Sequence, residues 1–154
     1  PLYLQLDAIK RLWLPIVLSQ FVGCLVGIVS VVFVAQLCGA PDIIVLSMAS
    51  KSVTTPIAME VTQSLGGIPS LTAAVVVVTG IIGALVGFKM LSYGHVNSPI
   101  AQGLSMGAAS HAVGASTAMA YSSKYGAFAS LGITLNGIFT ALLTPTILRL
   151  MSII

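Results

Sequence analysis

Charge is the scarcest property of this sequence. Only 6% of its 154 residues are Asp, Glu, Lys or Arg, whereas a soluble domain carries about 25%. Apolar residues make up 57% of the chain, so its outer surface must face something other than water. A spanning helix needs about 20 mostly apolar residues. We therefore predict an all-α polytopic integral membrane helix bundle with about five membrane segments, two of them discontinuous helices, and no folded domain outside the bilayer.

Other shortages exclude several functions. The six basic residues are scattered and form no run, which argues against nucleic-acid binding. The two cysteines, Cys24 and Cys38, share one apolar stretch, and we interpret them as lipid-facing or packing residues rather than a disulfide or a metal site. The three acids lie far apart and there are only two His, so neither a metal-ligand set nor a nucleophile and base is indicated. We predict no enzymatic activity, metal or cofactor.

Three stretches have the composition of ordinary spanning helices, at residues 13–38, 70–91 and 128–150. Asn136, in the last of them, requires a hydrogen-bond partner inside the bundle. Before the first, the phrase PLYLQLDAIKR is typical of an earlier helix that runs into a basic loop at Lys10 and Arg11. We expect residues 1–154 to form a single transmembrane domain that lacks its N-terminal spans.

Two further segments, residues 43–66 and 99–121, are long enough to span but are interrupted by polar and small residues at 50–56 and 107–116. Lipid cannot satisfy free backbone N–H and C=O groups, so such breaks are tolerated only where protein buries them or where they line a cavity. We predict that both segments are discontinuous helices whose breaks meet near the midplane.

The two breaks are weakly alike. A shift of sixty residues aligns Lys51 with His111, which indicates either a duplicated unit or a chance match in low-complexity sequence. Paired interrupted segments are a sequence signature of transporter binding sites. The positive-inside rule prefers re-entry of the first segment, but with so few basic residues crossing and re-entry both stay open.

Lys51 is the most informative charge in the first break. A Lys at the bilayer centre costs about 2.5–3.5 kcal/mol on insertion scales, so it should face the bundle interior or a water-filled cavity. There it would attract an anion; alternatively, it snorkels from a helix end. Glu60 follows inside the next half-helix, where it pairs with Lys51, relays a proton or lies at an interface.

The residues after Lys51 predict the start of a half-helix. Thr55 followed by Pro56 matches an N-cap and a first helical residue, and the free N–H groups of such a terminus bind a carboxylate. Ser52 and Thr54 would add hydroxyl groups. The alternative is that Pro56 only kinks a continuous helix.

The second break centres on His111. A His at membrane depth can bind a carboxylate, change its charge near neutral pH or bridge two helices by a hydrogen bond. The neighbouring Ser110, Gly114 and Ser116 are small or carry hydroxyl groups, so they favour an open space beside the imidazole. We assign all four residues to a candidate binding site together with those of the first break.

The phrases KSVTTPIAMEV, GGIPSLTAAVVVVTGIIGA, SPIAQGLSMGAASHAVGASTAM and GITLNGIFTALLTPTIL resemble the LrgB family, which includes CidB and the plastid glycolate/glycerate translocator. The resemblance covers nearly the whole chain and is closer to the bacterial members. It implies a multi-pass protein of the bacterial plasma membrane that moves small monocarboxylates such as pyruvate, glycolate and glycerate. The other function that it implies is an antiholin-like or holin-like component that regulates murein hydrolase activity and lysis. It also implies a small LrgA-type or CidA-type membrane partner, and a homo-oligomer is possible.

Overall fold

A computed structural model describes residues 2–154, and every regular element within them is helical. A short 3₁₀ helix precedes six α-helices. Their bounds are Leu2–Gln5 for the 3₁₀ helix and Leu6–Leu37 (α1), Asp42–Ala49 (α2), Thr55–Ser64 (α3), Pro69–Tyr93 (α4), Pro99–Tyr121 (α5) and Ser123–Leu150 (α6). Three helices, α1 with the 3₁₀ turn, α4 and α6, are long and apolar enough to cross a membrane. The all-helical architecture is thus confirmed, and these three helices are candidate spans where the sequence predicted ordinary ones.

The first interrupted segment is a helical hairpin made of α2 and α3, hereafter hairpin 1 (residues 42–64). Ser50 ends α2, and its Oγ donates to the carbonyl of Ala58 at 3.1 Å. One turn earlier, Ser47 Oγ accepts from the backbone N–H of Ile68 at 2.8 Å, beyond the end of α3. The chain therefore returns to the level at which it entered, and residues 50–54 form the tip.

The second interrupted segment, α5, also doubles back, and it forms hairpin 2 (residues 99–121). The turn is at His111, whose φ of 42° and ψ of −133° depart from helical values. Beyond it, a Cβ on Gly114 would meet the carbonyl of Met106 and the side chain of Ser110. In a straight helix residues 106 and 114 would be about 12 Å apart, so the second half of α5 folds back on the first.

Contacts along α4 confirm this reversal. Gly87 of α4 packs against Met106, in the first half of α5. The ring centroid of the next residue, Phe88, lies 4.3 Å from that of Tyr121, at the end of the second half. Both halves of α5 thus reach the same end of α4, and hairpin 2 enters and leaves on one side.

The two hairpins enter from opposite faces of the bundle. Helices α1 and α6 run parallel, since Ile16 clusters with Phe128 near their starts and Cys24 Sγ lies 3.3 Å from Thr140 Oγ1 further along. Hairpin 1 follows the end of α1 and hairpin 2 follows the end of the antiparallel α4. A unit of hairpin and span therefore occurs twice with inverted orientation, as in many transporters.

The start of α1 differs from the sequence expectation. Lys10 and Arg11 are helical rather than in a loop, and only Leu12 has non-helical dihedral angles. Pro15 accounts for this kink, because its ring displaces the carbonyl of Arg11 and it has no N–H to donate. The apolar sequence continues the helix on both sides of the kink.

Because both hairpins re-enter, most of the basic residues lie on one face of the bundle. Lys10 and Arg11 near the start of α1, Lys89 near the end of α4 and Lys124 at the start of α6 share one face, which we call the basic face. Arg149 lies near the end of α6 at the opposite face. The basic face therefore carries three more basic residues than the opposite face. This excess is larger than it would be if every segment crossed the membrane.

Candidate functional site

A cavity of about 750 Å³ lies between one face of α1, the tip of hairpin 1 and the first half of hairpin 2. On α1 it is lined by residues three or four apart, including Ile16, Gln20, Cys24 and Ile28, which is the spacing of one helix face. The hairpins and α6 supply most of the polar groups opposite. This volume is within the range of small-molecule binding sites.

Hairpin 1 contributes Lys51 and Ser52 to the cavity wall. Lys51 is half-buried, and its Nζ donates to Ser52 Oγ at 3.3 Å. It is the one charged residue among those of residues 2–154 that line the cavity. The walls are otherwise apolar, hydroxyl or amide groups, so the cavity presents a positive charge in surroundings of low polarity.

Asn136 of α6 joins the two hairpins at the level of the cavity. Its Nδ2 donates to the carbonyl of Ser52 in the tip of hairpin 1 and to that of Ala108 in hairpin 2, each at 2.9 Å. Its side chain is 3% exposed. The expectation that Asn136 has partners inside the bundle is confirmed, and the two breaks meet as predicted.

His111 lies in the tip of hairpin 2 but does not line the cavity. Its side chain is buried, and its Nε2 lies 2.9 Å from the carbonyl oxygen of Val76 in α4. Since a carbonyl only accepts, Nε2 carries the hydrogen. Of the roles left open by the sequence, this geometry is that of a bridge between helices, while the preceding Ser110 lines the cavity.

The candidate site residues that follow Ser52 in hairpin 1 are not part of the cavity wall. Helix α3 begins at Thr55, so Thr54 rather than Thr55 is the N-cap residue, and its hydroxyl makes no capping hydrogen bond. Pro56 and Glu60 are exposed on α3. Because α3 packs mainly along α4, its first turn lies outside the cavity formed with α1.

Two remaining candidates also lie outside the cavity wall. Gly114 is buried where the halves of hairpin 2 meet, which requires a residue without a side chain. Ser116 is exposed, and its Oγ donates to the carbonyl of Val113 at 2.8 Å. The structure thus brings together Lys51, Ser52 and Ser110 of the ten predicted site residues.

Sequence reasoning overlooked several polar lining residues, among them Gln20, Ser105 and Thr79. Gln20 is 5% exposed and lies in the middle of α1, which reads as an ordinary spanning helix. The available signal was a polar side chain in the middle of an apolar span, where such residues face the bundle interior or a water-filled cavity.

The sequence model of the LrgB-like family matches residues 1–150. The chain belongs to the LrgB-like family. A Haemophilus influenzae protein, named only as uncharacterized, is 37% identical over 150 residues, which are 97% of this chain and 65% of that protein. Proteins named antiholin-like protein LrgB from Bacillus mycoides and Bacillus cereus are 34% and 33% identical, over 94% of this chain and 63% of theirs.

This LrgB-like chain therefore spans slightly less than two thirds of the length of these relatives. No solved structure matches it significantly. Family membership and the three candidate spans indicate a membrane protein, and its relatives named antiholin-like protein LrgB are bacterial.

Proposed function

We propose that this LrgB-like protein moves small monocarboxylate anions, of the pyruvate, glycolate and glycerate class, through the cavity between α1 and the two hairpins. The observation that carries the proposal is Lys51, a lone charge in the cavity wall at a hairpin tip. A charge in surroundings of low polarity is costly unless an opposite charge pairs with it. A small bound carboxylate supplies that charge.

The neighbouring groups suit the same ligand. Ser52 and Ser110 place hydroxyl groups from opposite hairpins in the cavity wall, and hydroxyls donate to carboxylate oxygens. The hairpins enter from opposite faces, so movement of either tip would open the cavity to one side, which is the geometry of alternating access. Passage would be passive or coupled to protons.

A second candidate function comes from the relatives named antiholin-like LrgB. On that reading the protein is a regulatory component of a lysis system in the bacterial plasma membrane, where it assembles with a small LrgA-type or CidA-type membrane protein or with further copies of itself. A pore-forming or regulatory component has no need for a charged site at membrane depth, so the cavity favours the carrier.

The test is uptake of labelled pyruvate and glycolate into proteoliposomes that contain the purified protein. We expect saturable uptake that falls at least tenfold in Lys51→Met, which keeps most of the length of the side chain and removes its charge. Lys89→Met is the matched control, because Lys89 is exposed near the end of α4 and does not line the cavity.

Leakage of an uncharged dye of similar size separates the two candidates. Uptake without dye leakage, lost in Lys51→Met and kept in Lys89→Met, supports the carrier. If dye and acids leak together, and both variants behave like the wild type, then the carrier is refuted and the antiholin-like function is favoured.

A further inference from the structure

The cavity contains one polar group whose hydrogen bonding is incomplete. Gln20 Oε1 is buried, and it is the one buried side-chain oxygen or nitrogen in the described residues 2–154 that has no hydrogen-bond partner. The side chain is 5% exposed, and it lies in the α1 wall of the cavity. Leaving a buried acceptor unpaired is unfavourable, so an acceptor of this kind in a cavity wall is suited to a donor group on a bound molecule.

The register of α1 against α6 places Gln20 at the level of the hairpin tips. Cys24 Sγ lies 3.3 Å from Thr140 Oγ1, and the two helices run parallel. One turn earlier on each helix come Gln20 and Asn136. Since Asn136 holds both tips, Gln20 faces the cavity at the depth where Lys51 and Ser52 line its opposite wall.

At this depth one wall of the cavity offers hydrogen-bond donors and the opposite wall offers an acceptor. Lys51 is a donor only, and the Nδ2 of Asn136 is already used for two backbone carbonyls. Gln20 Oε1 is an acceptor only. A carboxylate satisfies Lys51 and can also accept from Gln20 Nε2, but it leaves Gln20 Oε1 unpaired, because an ionised carboxylate has no hydrogen to donate.

We propose that Gln20 is a ligand-binding residue of this cavity, and that its Oε1 accepts a hydrogen bond from a hydroxyl group next to the carboxylate of the bound anion. This inference rests on the proposed function, and it adds the residue that selects among small monocarboxylates. A hydroxy acid can pair with Lys51 through its carboxylate and with Gln20 Oε1 through its hydroxyl. The same acid without its hydroxyl leaves Oε1 unpaired.

The experiment compares glycolate with acetate, which differ by one hydroxyl group. Unlabelled glycolate and acetate compete for uptake of labelled glycolate into proteoliposomes, and the ratio of their inhibitory concentrations is the readout. A site that hydrogen-bonds a substrate hydroxyl rejects the analogue that lacks it. We expect the wild-type protein to prefer glycolate by roughly tenfold or more, and Gln20→Met to reduce the preference to about twofold or less.

Gln36→Met is the matched control, since Gln36 lies on the same helix, is exposed and does not line the cavity. It should keep the wild-type ratio. If Gln20→Met does not fold, Gln20→Asn keeps the amide but withdraws it by one methylene, and it should lower the ratio without abolishing uptake.

Four results would be informative. A ratio that collapses in Gln20→Met alone supports the inference. A ratio unchanged in Gln20→Met, or a wild-type ratio near one, overturns it and leaves the carrier function intact. A preference for acetate that Gln20→Met removes would also overturn the acceptor role. If the wild-type protein takes up neither labelled glycolate nor labelled pyruvate, the proposed function itself fails.

Discussion

Asn136→Leu should separate the two hairpin tips from α6. The substitution keeps the approximate shape of the side chain and removes both hydrogen bonds of Nδ2, to the carbonyls of Ser52 and Ala108. Interhelical hydrogen bonds in membrane proteins contribute about 0.6 kcal/mol on average and up to about 1.7 kcal/mol each. Two such bonds give an expected loss of about 1–3 kcal/mol in the free energy of unfolding.

The assay is equilibrium unfolding by SDS titration in mixed micelles, with loss of helical circular dichroism as the signal. Asn97→Leu is the matched control, because Asn97 is exposed in the loop between α4 and α5, and it should change the free energy of unfolding by less than about 0.5 kcal/mol. Equal effects of the two substitutions would refute the role of Asn136 as the joint between the tips. We also expect Asn136→Leu to lose substrate uptake, since the tips position Lys51 and Ser52.

Two further predictions concern the turn in hairpin 2 and the orientation of the bundle. Because φ of His111 is positive, His111→Gly should be less destabilising than His111→Ala by about 1 kcal/mol. The same SDS titration measures both variants, and the reverse order would refute a strained turn at this residue. By the positive-inside rule we expect the basic face to be cytoplasmic. In a background without the native cysteines, a Cys at position 89 should then react with an impermeant maleimide only from the cytoplasmic side, and a Cys at position 149 only from outside. Labelling of both from one side would contradict the inverted arrangement of the hairpins.

The sequence predicted the parts of this architecture that depend on composition. Long apolar runs determined the three spans, and polar residues in two apolar segments located both tips within a few residues. The direction of the chain after each tip could not be predicted, because crossing and re-entry bury the same residues. The turn at His111 could not be predicted either. A positive φ favours glycine, so the sequence would suggest a turn at Gly107 or Gly114, but these residues allow close helix contacts instead.

Sequence reasoning placed a residue in the cavity wall where its charge was decisive, and it did not anticipate the positions of residues without a charge. Lys51 at membrane depth had few places to lie other than a cavity or an interface, and the structure places it in a cavity wall. His111 had several possible partners, and the choice of the Val76 carbonyl depends on how α5 turns against α4. Gln20 could not be distinguished from a helix-packing residue until the face of α1 that lines the cavity was known.

The two hydrogen bonds of Asn136 each oppose the displacement of one hairpin tip from α6. If one tip moves away from α6, one bond breaks and the other can persist. A conformation with both tips displaced loses both bonds at once, so it lies higher in energy than either one-sided conformation by the second bond. A single buried amide therefore disfavours a continuous pathway across the membrane, which would dissipate ion gradients.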